Sequence, residues 1–143
     1  MQQFELNEQG RRTQIITIDE DNRDNGKAFY LTEMFAAQTE KWAIRAGNAF
    51  VKGGGKLPRG WESNATVSIS AEAQDKGLAI IEDILRTDFE SLEPLLDEMW
   101  AMVKIKLSDA KQPRPLLANL SDIAEVGTIW KLRLALLNLH RFF

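Results

Sequence analysis

The chain reads as mainly α with a small N-terminal β-hairpin, an α+β arrangement in which the hairpin packs on a bundle of about four helices. Three observations predict this. β-branched and aromatic residues cluster near the start, in "TQIITI" (Thr13 to Ile18) and "KAFYLT" (Lys27 to Thr32). Past Thr32 the apolar spacing changes to the roughly 3.6-residue period of a helix. The 143 residues, 44% of them hydrophobic and 27% charged, suit one domain over 1–143 with a core of its own.

The hairpin occupies residues 13–32. Its two strand segments flank "DEDNRDNG" (Asp19 to Gly26), a polar loop closing on Asn25-Gly26, the dipeptide that tolerates tight turns. An isolated hairpin is marginal in water, so its apolar face is expected on helices filling residues 33–143. The first helix runs from Glu33 to Val51, with Thr32 as a candidate N-cap. Phe35, Trp42, Ala46 and Ala49 recur along it at helical spacing. "KGGGKLPRG" (Lys52 to Gly60) ends it, as a flexible loop over 52–60. Val67 and Ile69 suggest a short strand. Ala73, Gly77, Ile80, Ile81, Ile84 and Leu85 suggest a second helix capped by Ser70.

The third helix, "ESLEPLLDEMWAMV", carries Leu92, Leu95, Leu96, Met99, Met102 and Val103 on one stripe, with Pro94 expected in its first turn, where a missing N–H costs little. Lys104 to Pro115 reads as a linker with one alternating patch, "VKIKL". Ser121-Asp122 opens the last helix, and Asp122 with Glu125 forms a capping-box-like start. No heptad run long enough for a coiled coil and no internal repeat is present.

Chemical motifs fail one by one. "GGGK" lacks the first glycine of a phosphate loop, where Phe50 stands, and the Ser or Thr after Lys56, where Leu57 stands. The acidic loop lacks calcium ligands at its third and twelfth positions, Arg23 and Thr32. The absence of cysteine removes disulfides, thiolate zinc sites and thiol nucleophiles. The single histidine, His140, is expected to complement a helix C-terminus as a cation. Glu82/Asp83 and Asp97/Glu98 fall on polar faces. No catalytic residue, cofactor or metal is expected, and an enzyme is not. A net charge of −3 argues against nucleic acid. No run reaches the ~18 apolar residues of a membrane span, and the first residues lack a signal-peptide centre.

The terminal stretch "EVGTIWKLRLALLNLHRFF" carries two apolar stripes. Ile123, Val126, Trp130, Leu134 and Leu137 form one. Ile129, Leu132, Leu136, Leu139 and Phe143 form the other. A surface helix needs only one. Either this helix is the centre of the core, or one stripe meets another copy or a partner. The stripe with Ile129, Leu132, Leu136, Leu139 and Phe143 is the expected interface, because it runs to the chain end. Trp100, beside Met99 and Met102, is a further candidate for adaptable contact.

Four blocks, "LTEMFAAQTEKWAIRA" (Leu31 to Ala46), "LEPLLDEMWAMVKI" (Leu92 to Ile105), "RPLLANLSDIAEV" (Arg114 to Val126) and "WKLRLALLNLHRFF" (Trp130 to Phe143), resemble tail assembly chaperones of long-tailed bacteriophages. The resemblance covers about half the chain and rests on helix-packing patterns rather than chemical signatures. It implies a non-catalytic protein, of phage or prophage origin, that binds the helical tape-measure protein and keeps it soluble while the tail tube forms. It also implies residence in the host cytoplasm and absence from the mature virion, and leaves contact with the tail-tube protein open. Many such chaperones also have a longer, frameshifted form. Self-association stays open. The alternatives are a head–tail connector or tail terminator of the virion, or a small regulatory binding protein outside any phage.

Overall fold

The computed structural model describes residues 4–52 and 88–141. It corrects the predicted fold class. Among the described residues a five-stranded antiparallel sheet stands with three helices, an α+β mix rather than a hairpin on a four-helix bundle. The strands are β1 (Glu5–Leu6), β2 (Arg12–Thr17), β3 (Ala28–Thr32), β4 (Val103–Lys106) and β5 (Arg114–Pro115), side by side in that order. The helices are α1 (Ala36–Lys52), α2 (Phe89–Met99) and α3 (Val126–Leu139), and a single 3-10 turn, Trp100–Met102, links α2 to β4. The Gly-rich loop, the Val67–Ile69 strand and the Ser70-capped helix lie outside the described residues, apart from Lys52, which closes α1.

The predicted hairpin exists. Thr13 pairs with Thr32 and Thr17 with Ala28, and Gly26 turns the loop with φ of 85°. The segment expected as a linker contains the strand that extends the hairpin. Lys104 pairs with Tyr30 and Ile105 with Phe29, while β5 adds Arg114 opposite Ile105. Because side chains alternate across a sheet, Phe29, Leu31, Val103 and Ile105 share one face and are all buried. The opposite face carries Thr13, Ile15, Tyr30 and Lys104, with Ile15 57% exposed.

The predicted helix starts shift as well. Thr32 ends β3 and cannot cap α1, which begins at Ala36. Pro94 lies inside α2, past its first turn. Asp122 is not a cap: α3 begins at Val126, behind Glu125, and makes no side-chain cap bond. Asp122 is instead buried. Its two oxygens accept from Arg114 Nη2 at 2.7 Å and Nη1 at 3.0 Å, and the second also accepts from Leu117 N at 2.9 Å.

The start of α3 is held by the hairpin loop. Asp24, fully buried, accepts from Ala124 N and Glu125 N at 2.9 Å each and from Lys27 Nζ at 2.7 Å. Lys27 Nζ also donates to the Asp122 carbonyl at 2.8 Å. A loop that looks like a cation site is thus a clamp on backbone N–H groups.

Helix α3 is central. Arg12 Nε on β2 donates to the Leu139 carbonyl at 3.0 Å, Arg133 Nη1 donates to the Leu96 carbonyl on α2 at 2.9 Å, and Met34 N donates to His140 Nε2 at 2.8 Å. Helices α1 and α2 are joined by Trp42 Nε1 donating to the Leu95 carbonyl and by the Arg45–Glu98 ion pair. One core cluster spans sheet and helices, from Phe29 and Ile105 through Trp42 and Met99 to Leu132 and Leu139.

Candidate partner-binding surface

The described residues hold no group of three His, Asp or Glu side chains able to bind a metal ion. No helix there is long and apolar enough to cross a membrane. His140 is buried at the end of α3. Its Nε2 accepts from Met34 N, so Nδ1 carries the proton and donates to the Leu136 carbonyl at 2.7 Å. Burial holds its protonation below the ordinary histidine range, against the pull of the Leu136 carbonyl and the Glu33 charge; Arg12 and Arg11 add to the lowering. The expected helix-end cation is therefore a neutral joint between α3 and the start of α1.

The surface features are apolar and lie around α3. Between α1, α2 and the end of α3 is a small apolar crevice, with room for about one water molecule. Met34, Met99 and Met102, three of the chain's four methionines, line it with Trp42 and His140. Met34, Met99 and Trp42 are themselves buried and Met102 is half-buried, so this wall is core that reaches the surface at Met102; methionine side chains bend and polarise easily, which lets it yield to a contact there.

Met99 connects this crevice to a second feature. Its sulfur lies 3.4 Å from Arg133 Nη1. The Arg133 guanidinium sits over the Trp100 ring at 4.6 Å and near the Trp130 ring at 5.8 Å. Burial pushes the guanidinium down to about 10, which leaves it charged at neutral pH; the Asp97 charge acts in the opposite direction. The Trp100 indole N–H is shielded from water and has no acceptor among the described residues. Val126, 70% exposed, and the half-buried Trp130 and Leu134 continue an apolar ridge along α3.

The residues singled out in the sequence divide unevenly over this map. Leu132, Leu136 and Leu139 are each at most 1% exposed, so the stripe expected to meet a partner goes into the chain's own core. Ile129 is half-buried beside it, and Phe143 lies outside the described residues. Trp100 does reach the surface, under Arg133. The exposed ridge belongs to the other stripe, through Val126, Trp130 and Leu134. Sequence reasoning missed Arg133 altogether. The available signal was a cation within "IWKLRLALL", between apolar positions on a helix with no polar side to hide it.

No protein-family model, curated protein or solved structure matches the chain.

Proposed function

We propose that this chain is a non-catalytic tail assembly chaperone of a long-tailed phage or prophage, which binds the tape-measure protein and keeps it soluble while the tail tube assembles. The observation that carries this reading is where the resembling blocks meet. Met34 and Trp42 come from the first block, Met99, Trp100 and Met102 from the second, and Trp130 and Arg133 from the last. Together they line one methionine crevice and one aromatic ridge joined through Met99. A protein that holds apolar helical segments until they assemble needs adaptable, partly exposed apolar surface and no reaction centre. On this reading contact with the tail-tube protein stays open, and the protein works in the host cytoplasm and leaves before the virion is complete.

Co-expression with the tape-measure protein of the same phage tests it. The expected result is a shift of that protein from pellet to supernatant and a complex that survives gel filtration. A tape-measure protein that stays insoluble, with no complex, overturns the proposal. Stoichiometric presence of this chain in purified particles would instead indicate a connector or terminator of the virion.

A further inference from the structure

We propose that the Trp100–Arg133–Trp130 stack docks an acidic side chain carried on the apolar face of a partner helix, an inference that rests on the chaperone reading above. Arg133 offers five N–H donors in a planar fork, and the chain engages one nitrogen, Nη1, with the Leu96 carbonyl and the Met99 sulfur. Nε and Nη2 have no acceptor among the described residues. The carboxylates there are engaged elsewhere or stand off. Glu98 pairs with Arg45, Glu125 with Arg23 and Glu20 with Lys131, while Asp97 reaches Arg133 only through its field.

Arg133 is a half-buried cation with no ion-pair partner among the described residues, and partial loss of hydration makes an arriving counter-charge favourable. A carboxylate arriving from a partner would take both free N–H directions of the fork at once, a bidentate geometry that lysine cannot offer. The two indole faces exclude water from that pair and strengthen it. Val126 and Leu134 on the same ridge supply apolar contact around it, so the complementary surface is a helix with an apolar stripe and an acid within it. A phosphate polymer fits less well. The chain's net charge is −3, and a single half-buried arginine ringed by apolar side chains does not track a charged backbone.

The test uses two blocked amphipathic peptides of about twenty residues, long enough to be helical alone. They share one leucine stripe and differ only in a central Glu or Gln within it. Binding to the full chain is followed by calorimetry and tryptophan fluorescence. The Glu peptide is expected to bind at least about tenfold more tightly than the Gln peptide. That preference should vanish in Arg133→Met, which keeps the long apolar stem. Equal affinity of the two peptides for the native chain overturns the proposal, and so does a preference that survives in Arg133→Met. Failure of both peptides to bind overturns it as well, while the co-expression result then judges the chaperone reading by itself. If Arg133→Met loses its fold, the Glu/Gln comparison on the native chain decides.

Discussion

Two buried polar side chains on α3 carry opposite energetic signs. Asn138 is completely buried, and neither its amide nitrogen nor its amide oxygen has a partner among the described residues. Leaving such groups unpaired costs about 1–3 kcal/mol. Asn138→Leu, of similar size, is therefore expected to raise stability by about 1–3 kcal/mol in urea denaturation; a loss of stability would mean the amide holds something essential. His140 is satisfied on both ring nitrogens, but only while neutral. Its folded protonation lies below the ordinary value, so the unfolded chain takes up the proton first as pH falls. The histidine's contribution is then complete above about pH 6.5 and declines below it. A protonated ring also has no lone pair for Met34 N. His140→Leu should be less stable at neutral pH and should lack the slope that the native protein shows just below about pH 6.5. Equal slopes in both proteins would refute the assignment. Asp24 and Asp122 add a separate acid limit. For Asp24, burial alone would raise the carboxyl, but Lys27 and the Ala124 and Glu125 N–H groups outweigh it and hold it well below the usual carboxylate range. For Asp122 the Arg114 fork is the main cause of the lowering. Their contributions are present above about pH 4 and are lost as pH falls further.

Among the elements, α3 tests the interface idea most directly. Leu132 and Leu136 are core residues, so Leu132→Glu with Leu136→Glu should unfold the chain as a monomer, with a cost well above about 4 kcal/mol. A folded double variant that had lost only self-association would restore the expected interface. The helix itself was legible from its apolar content, and so was the hairpin from its strand signals and turn. Which stripe faced outward was not, because that depends on what surrounds a helix on three sides. β4 shows the limit of periodicity more sharply. Val103 and Ile105 alternate with Lys104 and Lys106, yet four residues after a helix look like a linker until Phe29 and Leu31 stand opposite them. β5, Arg114–Pro115, is too short to carry any period. Asp122 and Glu125 had the spacing of a capping box, but Arg114 and Arg23 took their carboxylates instead. The surface site was half visible: Trp100 drew notice by its methionine neighbours, while Arg133 was hidden inside an apolar run.

At the scale of the molecule, one core cluster among the described residues joins the sheet to α1, α2 and α3, so their unfolding is expected to be one cooperative step. Far-ultraviolet circular dichroism and tryptophan fluorescence should give coincident denaturation midpoints. Separated midpoints would show that the hairpin and the helices melt independently. The pairing of β3 with β4 has a consequence for synthesis. β3 ends at Thr32 and its neighbour begins only at Val103. A ribosome adds about 5–20 residues per second, so the newborn hairpin waits several seconds with one side of its inner strand bare. That side offers open backbone groups beside Phe29 and Leu31, a template for any stray strand. A polypeptide released before Val103 would keep that edge permanently, and should aggregate as it is made.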